Sequence, residues 1–205
     1  MKTKVWAAAE LQLGRVPFDV SNHTEEEMFL LSWQDCVNSA DTVFLIGNAV
    51  AREQAYWYSR LKEMPGEKVL MLGDSDRNRY AWYRKFGFVD VVPYNRFVLY
   101  PYYLWENGRG KPYYGQIMFS YIPAFPAVCG NDQRFITTSA KYERYFDLHS
   151  CILNVHGLTL GRGQEKHNTF DASVGIIGNQ LVTIDQIAQL KLGLPAQSSD
   201  ASAML

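Results

Sequence analysis

Two short apolar runs, each closed by a glycine, most constrain the fold of this chain: Thr42-Val43-Phe44-Leu45-Ile46-Gly47 and Lys68-Val69-Leu70-Met71-Leu72-Gly73. Neither run alternates polar with apolar residues, and both are too short for a buried helix. They read as strands covered on both faces, the condition of a parallel sheet. Residues 51–63 between them have the pattern of a helix stopped by Pro65-Gly66. Parallel neighbours need such a crossover, because a tight turn cannot join them. Lys4 to Ala8 supplies an earlier strand. After it, Thr24 and Glu27 form a capping-box pattern ahead of a helix whose face carries Phe29, Leu30, Trp33, Cys36 and Val37. A further helix is expected over Tyr80 to Phe86. The alternation predicts an α/β fold.

The second half changes character. Phe88–Val92, Arg96–Trp105 and Tyr113–Tyr121 read as successive strands, with Asn107-Gly108-Arg109-Gly110 as a turn. A helix is expected over Lys141 to Asp147, a strand over Cys151 to His156, and a last helix face at Ile184, Ile187 and Ala188. Without an internal repeat or interior linker, residues 1–192 are expected to form one domain, and 193–205 a disordered tail of small and polar residues.

The 205 residues are 47% hydrophobic and 20% charged, the balance of a soluble globular protein. Twenty Lys and Arg face 21 Asp and Glu, so no overall basic field draws in nucleic acid or an anionic membrane, although Arg77, Arg79, Arg84 and Lys85 cluster locally. Cys36, Cys129 and Cys151 lack metal or redox spacing and are expected to be buried thiols in a reducing compartment. The apolar run before Glu10 is too brief for a signal peptide or anchor, so a cytoplasmic location is expected.

Sites in open α/β folds form beyond the carboxyl ends of the strands. Five such ends carry polar or glycine turns: Glu10-Leu11-Gln12, Gly47-Asn48, Gly73-Asp74-Ser75-Asp76, Ser120-Tyr121-Ile122-Pro123 and Gly157-Leu158-Thr159-Leu160. In order and spacing they resemble the calcineurin-like metallophosphoesterases, whose motifs are D-x-H, G-D, G-N-H-D, S-H-x-P and G-H-x-H. The resemblance spans residues 4 to 191. It extends to Asn168, Asp171 and the helix that follows, and to the VPFDV and EEEM segments, which are similar to small phage and bacterial members. It implies a β-sandwich flanked by helices, in αββα layers.

The resemblance lies in the frames and not in the ligands. The first motif's Asp and His are Glu10 and Gln12, and the bridging Asp of the second is Asn48. In the third, the ligand Asn is Asp74 and the acid-assisting His is Ser75, with Asp76 retained. The fourth motif's His is Tyr121, and the two His of the last are Leu158 and Leu160. A two-metal centre needs carboxylates and imidazoles to hold the ions and activate water. Asn48 lacks the bridging charge, and the leucines have no lone pairs. The family comparison therefore implies a former site without catalytic residues, metal or cofactor. Clustered acids without their cations cost on the order of several kcal/mol each, and neutral or apolar replacements remove that strain.

Other residues admit two readings. Asp74 and Asp76 around Ser75 suit a cation loop or an Asx turn capping a helix. Arg77, with Arg15 and Arg162 if they share one mouth, suits an anion, but a run of charge also suits a solvated helix start. His156 is expected to be a strand-end histidine held by backbone. In the aromatic run, Tyr100 and Tyr102 share one strand face and Tyr103 and Trp105 the other, so one pair suits a partner surface while its counterpart packs inward. The leading expectation is a non-enzymatic metallophosphoesterase-like protein that binds or assembles with another protein, as a phage virion component or an inhibitor of a host protein. The alternatives are a phosphoesterase using one metal at Glu10, Asp74 and Asp76, and a phosphate- or nucleotide-binding module.

Overall fold

Four strands run parallel, β1 (Val5–Ala9), β2 (Thr42–Ile46), β3 (Glu67–Met71) and β4 (Phe88–Val92), in the order β4-β3-β2-β1. The short β9 (Val182–Thr183) adds antiparallel to β1. The computed structural model describes residues 3–15, 24–104, 113–129, 132–158 and 168–193. Helices α1 (Thr24–Cys36), α2 (Gln54–Glu63) and α3 (Tyr80–Arg84) lie between successive parallel strands. They cover one face, where Trp6, Val43, Leu45 and Leu70 pack with Trp33, Trp57 and Tyr58. The strands are apolar on both faces because the other face is also covered.

That cover is a second sheet, ordered β5-β6-β7-β8, from β5 (Phe97–Leu104), β6 (Tyr113–Ser120), β7 (Cys151–His156) and β8 (Thr169–Asp171). Its first pair is antiparallel and the other two are parallel, so both sheets are mixed. The rings of Phe44 and Phe119 stack across the interface with centroids 3.9 Å apart. Helix α4 (Gln133–Leu148) packs on this sheet through Tyr142 against Phe97, and its Phe146 meets Phe125 in the segment after β6. The short α5 (Val174–Ile177) precedes β9, and α6 (Ile184–Leu192) closes the described chain under a Thr183–Gln186 capping box. The result is a mixed α/β fold in which the parallel strands of both sheets end toward one rim. Among the described residues no helix is long and apolar enough to cross a membrane. Cys36, Cys129 and Cys151 are free thiols.

One buried amide fixes a part of that rim. Asn154, fully buried in β7, donates to Met118 O at 3.0 Å and Ser120 Oγ at 2.8 Å, and its Oδ1 accepts from Ala124 N at 2.7 Å. Ser120 Oγ donates in turn to Ile122 O at 2.7 Å. The turn after β6, which carries Tyr121, is thus held from below by a side chain on the next strand.

Several expectations change. Helix α4 begins at Gln133, well before Lys141, because Asp132 caps it by accepting from Arg134 N and Phe135, Ser139, Tyr142 and Phe146 form one buried stripe. The β-branched Thr137 and Thr138 mask that periodicity in sequence. The Thr24 side chain of the expected capping box lies outside the described residues, and Glu27 has a partner on another helix. It forms a two-oxygen pair with Arg60 of α2, at 2.7 and 2.8 Å, which a guanidinium fork favours over a single amide. Tyr100 and Tyr102, candidates for partner contact, face inward. Tyr100 meets Phe44 and Phe119 edge-on, and Tyr102, 7% exposed, donates to Asp185 Oδ1 at 2.7 Å. Tyr103 holds its place in β5, but its side chain, Trp105, and the tail from 194 onward lie outside the described residues.

Candidate functional site

The segment after β1 continues along the one after β2. Glu10 N donates to Ile46 O at 2.9 Å, Gln12 N to Asn48 O at 3.0 Å and Leu13 N to Ala49 O at 3.0 Å. To do so it places two non-glycine residues, Glu10 (φ 51°) and Gln12 (φ 49°), in the left-handed region. Such residues cost roughly 1–2 kcal/mol each and persist only when their surroundings hold them. Both side chains turn into one hydrogen-bonded cluster, which supplies that hold.

Asn48 is the centre of the cluster. Its Nδ2 donates to both Glu10 oxygens, at 3.2 and 3.3 Å, and to Asp74 Oδ1 at 3.3 Å. Its Oδ1 accepts from Ser75 N at 3.1 Å, which sets the orientation of the amide. Gln12 Nε2 donates to Glu10 Oε2 at 2.9 Å, Asn48 N to Glu10 Oε1 at 3.1 Å, and the Tyr121 hydroxyl to Asp74 Oδ1 at 2.9 Å. Two carboxylates are thereby joined by neutral N–H and O–H donors. Burial raises the Glu10 pKa above the usual carboxylate range against the bonds from Gln12 and Asn48, and the charge of Asp74 adds to the rise. Burial, then the charges of Glu10 and Asp74, push the Tyr121 hydroxyl up, so it stays a donor. The glycine before Asn48 makes the packing possible. A Cβ on Gly47 would overlap Glu10 Oε1 and sit 2.7 Å from the Tyr121 ring.

Asp76 belongs to the same turn but faces away, accepting from Gly73 N at 2.7 Å. Its pKa is pushed up to about 7, first by burial and then by the charges of Glu10 and Asp74, against the Gly73 bond. A carboxyl held protonated in the fold stabilises it fully below the unfolded pKa of about 3.9, and that contribution declines as pH rises toward 7. Asp76→Asn should therefore melt higher than the parent at pH 8 and about equally at pH 4. The gain at pH 8 should be on the order of 2–4 kcal/mol. Thermal melts at the two pH values check this, and an equal difference at both would show that Asp76 is ionised throughout.

Beside the cluster lies an open cleft of about 490 Å³. Glu10, Gln12 and Tyr121 form one wall with Leu158, which is 7% exposed. Leu158 N donates to Tyr121 O at 2.9 Å, tying this turn to the one after β6. Helix α1 contributes Glu25, Glu26 and Phe29, and the start of α5 contributes Val174 and Ile176. Glu26 Oε1 accepts from Gly14 N at 2.7 Å and closes the segment after β1 onto α1.

The structure thus brings Glu10, Gln12, Asn48, Asp74, Ser75 and Tyr121 into one bonded group, with Leu158 beside it. Of the candidate anion-binding arginines, Arg15 and Arg77 do not share the cleft. Arg15 lines the cleft, Arg77 is exposed and does not line it, and Arg162 lies outside the described residues, as does Leu160. His156 is buried at the end of β7, its carbonyl accepting from Ala172 N at 2.9 Å. Among the described residues, no group of three or more His, Cys, Asp and Glu is arranged to hold a metal ion. The place of Asn154, Glu25, Glu26 and Phe29 at the site escapes a sequence reading, because no local motif marks a buried amide or a helix flank that meets a loop from a distant strand.

No protein-family model matches the chain, and no curated protein matches it. Among solved structures it is similar to that of a protein of unknown function, AQ665, from Aquifex aeolicus. The TM-score is 0.65 at 14% identity, covering 92% of this chain and 100% of that one. At that identity the likeness is one of fold.

Proposed function

We propose that this chain is a metallophosphoesterase-like protein, an α/β sandwich in αββα layers, that has lost phosphoester chemistry and works by binding or assembling with another protein. The observation that carries the reading is the Asn48 amide lying between Glu10 and Asp74 and donating to both. In the family resembled, a bridging carboxylate and its cations occupy that position. A cation needs lone pairs there, and Asn48 presents N–H groups instead. Leu158, at a position where the family has a histidine, offers only hydrocarbon. The residues present do not fit a two-metal centre. A one-metal enzyme built on Glu10, Asp74 and Asp76 has the same difficulty, since Asp76 is turned to the Gly73 amide. The similarity to small phage and bacterial members supports a virion component or an inhibitor of a host protein as the setting.

The test pairs elemental analysis with a hydrolysis assay. Purified protein is expected to hold no stoichiometric Mn, Fe, Zn or Ni, and to leave bis(4-nitrophenyl) phosphate unhydrolysed above the buffer rate with Mn²⁺ or Mg²⁺ added. Metal-dependent turnover that co-purifies with the protein and is lost in Asp74→Ala would overturn the reading.

A further inference from the structure

The cleft beside the cluster has a chemistry of its own. Its volume of about 490 Å³ is in the range of ligand-binding clefts. Its walls are largely hydrocarbon, from Leu11, Phe29, Leu158, Val174 and Ile176. Ile176, 58% exposed, is one of the large apolar side chains in the described surface that face water. Among the described residues, Glu10, Glu25 and Glu26 surround these walls and Arg15 is the one cationic side chain lining them. Three carboxylates against one guanidinium oppose a phosphate and attract a cation. Glu10 already accepts from Gln12 and Asn48, and Glu26 from Gly14 N, so new bonds fall first to Glu25, which is exposed on the flank of α1.

We propose that this cleft docks a segment of a partner protein that carries arginine or lysine among apolar residues, with the basic head at Glu25 in the negative field of Glu26 and its alkyl stem and apolar neighbours against Phe29, Leu158 and Ile176. A long basic side chain has both properties the cleft asks for, since it lays an aliphatic stem on an apolar wall while its charge stays at the wet rim. Complementary charge then guides approach and sets register, and the apolar contact holds. This rests on the protein-binding reading above and deepens it by naming the surface and the chemistry of the partner.

The experiment is an NMR titration of methyl-labelled protein with four probes: the capped peptide Leu-Arg-Leu-Arg, the capped peptide Leu-Glu-Leu-Glu, spermidine and inorganic phosphate. The basic peptide is expected to give saturable shifts at the methyls of Leu158, Val174 and Ile176 that weaken with added salt, and the acidic peptide and phosphate none. Glu25→Gln with Glu26→Gln should weaken the basic peptide about fivefold or more. Arg15→Gln, a change at an exposed residue, should tighten it, which keeps the test decisive if the double variant folds poorly. Saturable phosphate binding that needs Arg15, spermidine binding as tight as the peptide's, or shifts from the basic peptide absent or centred elsewhere would each overturn the proposal. The binding reading itself fails on a separate result, metal-dependent hydrolysis, so the two outcomes stay distinct.

Discussion

Asn48→Asp should destabilise the protein by about 2–4 kcal/mol at pH 8, a fall in Tm of roughly 5–12 °C for a chain of this size. In the parent, Nδ2 lies 3.2 and 3.3 Å from the Glu10 oxygens and 3.3 Å from Asp74 Oδ1. The substitution turns that donor into an acceptor, and three carboxylates then face one another with no proton or cation between them. Asn48→Ala removes the same bonds without adding charge, so at pH 8 it should be the milder change. Lowering the pH should bring the aspartate variant back toward the alanine variant, because the crowded acids take up a proton and one carboxyl becomes a donor. Millimolar Mn²⁺ or Mg²⁺ should raise the melting temperature of the aspartate variant and leave the parent unmoved. Should alanine prove as costly as aspartate at pH 8, the amide matters as a packing element and not as an internal substitute for a cation.

Gly47→Ala should cost about 3 kcal/mol or more, since it combines two penalties. The residue has φ +83°, and a Cβ there would overlap Glu10 Oε1 and lie 2.7 and 2.9 Å from carbons of the Tyr121 ring. Glu10 cannot move aside without giving up its bonds to Asn48, and Tyr121 is held by its hydroxyl and by the turn that Asn154 supports. Gly178 is the internal control. It has φ +80° but nothing within 4 Å of an added Cβ, so Gly178→Ala should show the backbone penalty alone, about 1–2 kcal/mol. Denaturant melts of the two variants side by side separate the terms. Equal losses would show that the cluster yields to a methyl group and is not closely packed.

The sequence alone determined the strands and helices whose pattern is local. After Thr42 and Lys68 the runs closed by Gly47 and Gly73 are apolar on every residue, and a strand covered on both faces is the economical solution at that length, so β2 and β3 were legible without coordinates. The same holds for the turn positions, because their polar and glycine residues follow directly on strand ends. Short elements were not legible: β9 has two residues and β8 three, too few for any period to register, and α4 hid its start behind two threonines. Residue identities also determined that Leu158 and Leu160 offer no lone pair and that Asn48 carries no bridging charge, since that follows from their atoms.

What only the tertiary structure decided is direction and company. The alternation of β5 put Tyr100 with Tyr102 on one face, but only the second sheet's placement over the first decided that this face is interior. Asp74 and Asp76 are two residues apart, yet one joins Asn48 and Tyr121 while the other turns to a backbone amide. The cleft depends on Glu25 and Glu26 arriving from α1 beside a turn that begins at β7, more than a hundred residues away in sequence. Hydrogen bonds and charges act over a few ångströms in space, and a sequence orders residues only along the chain, so such company is settled by packing.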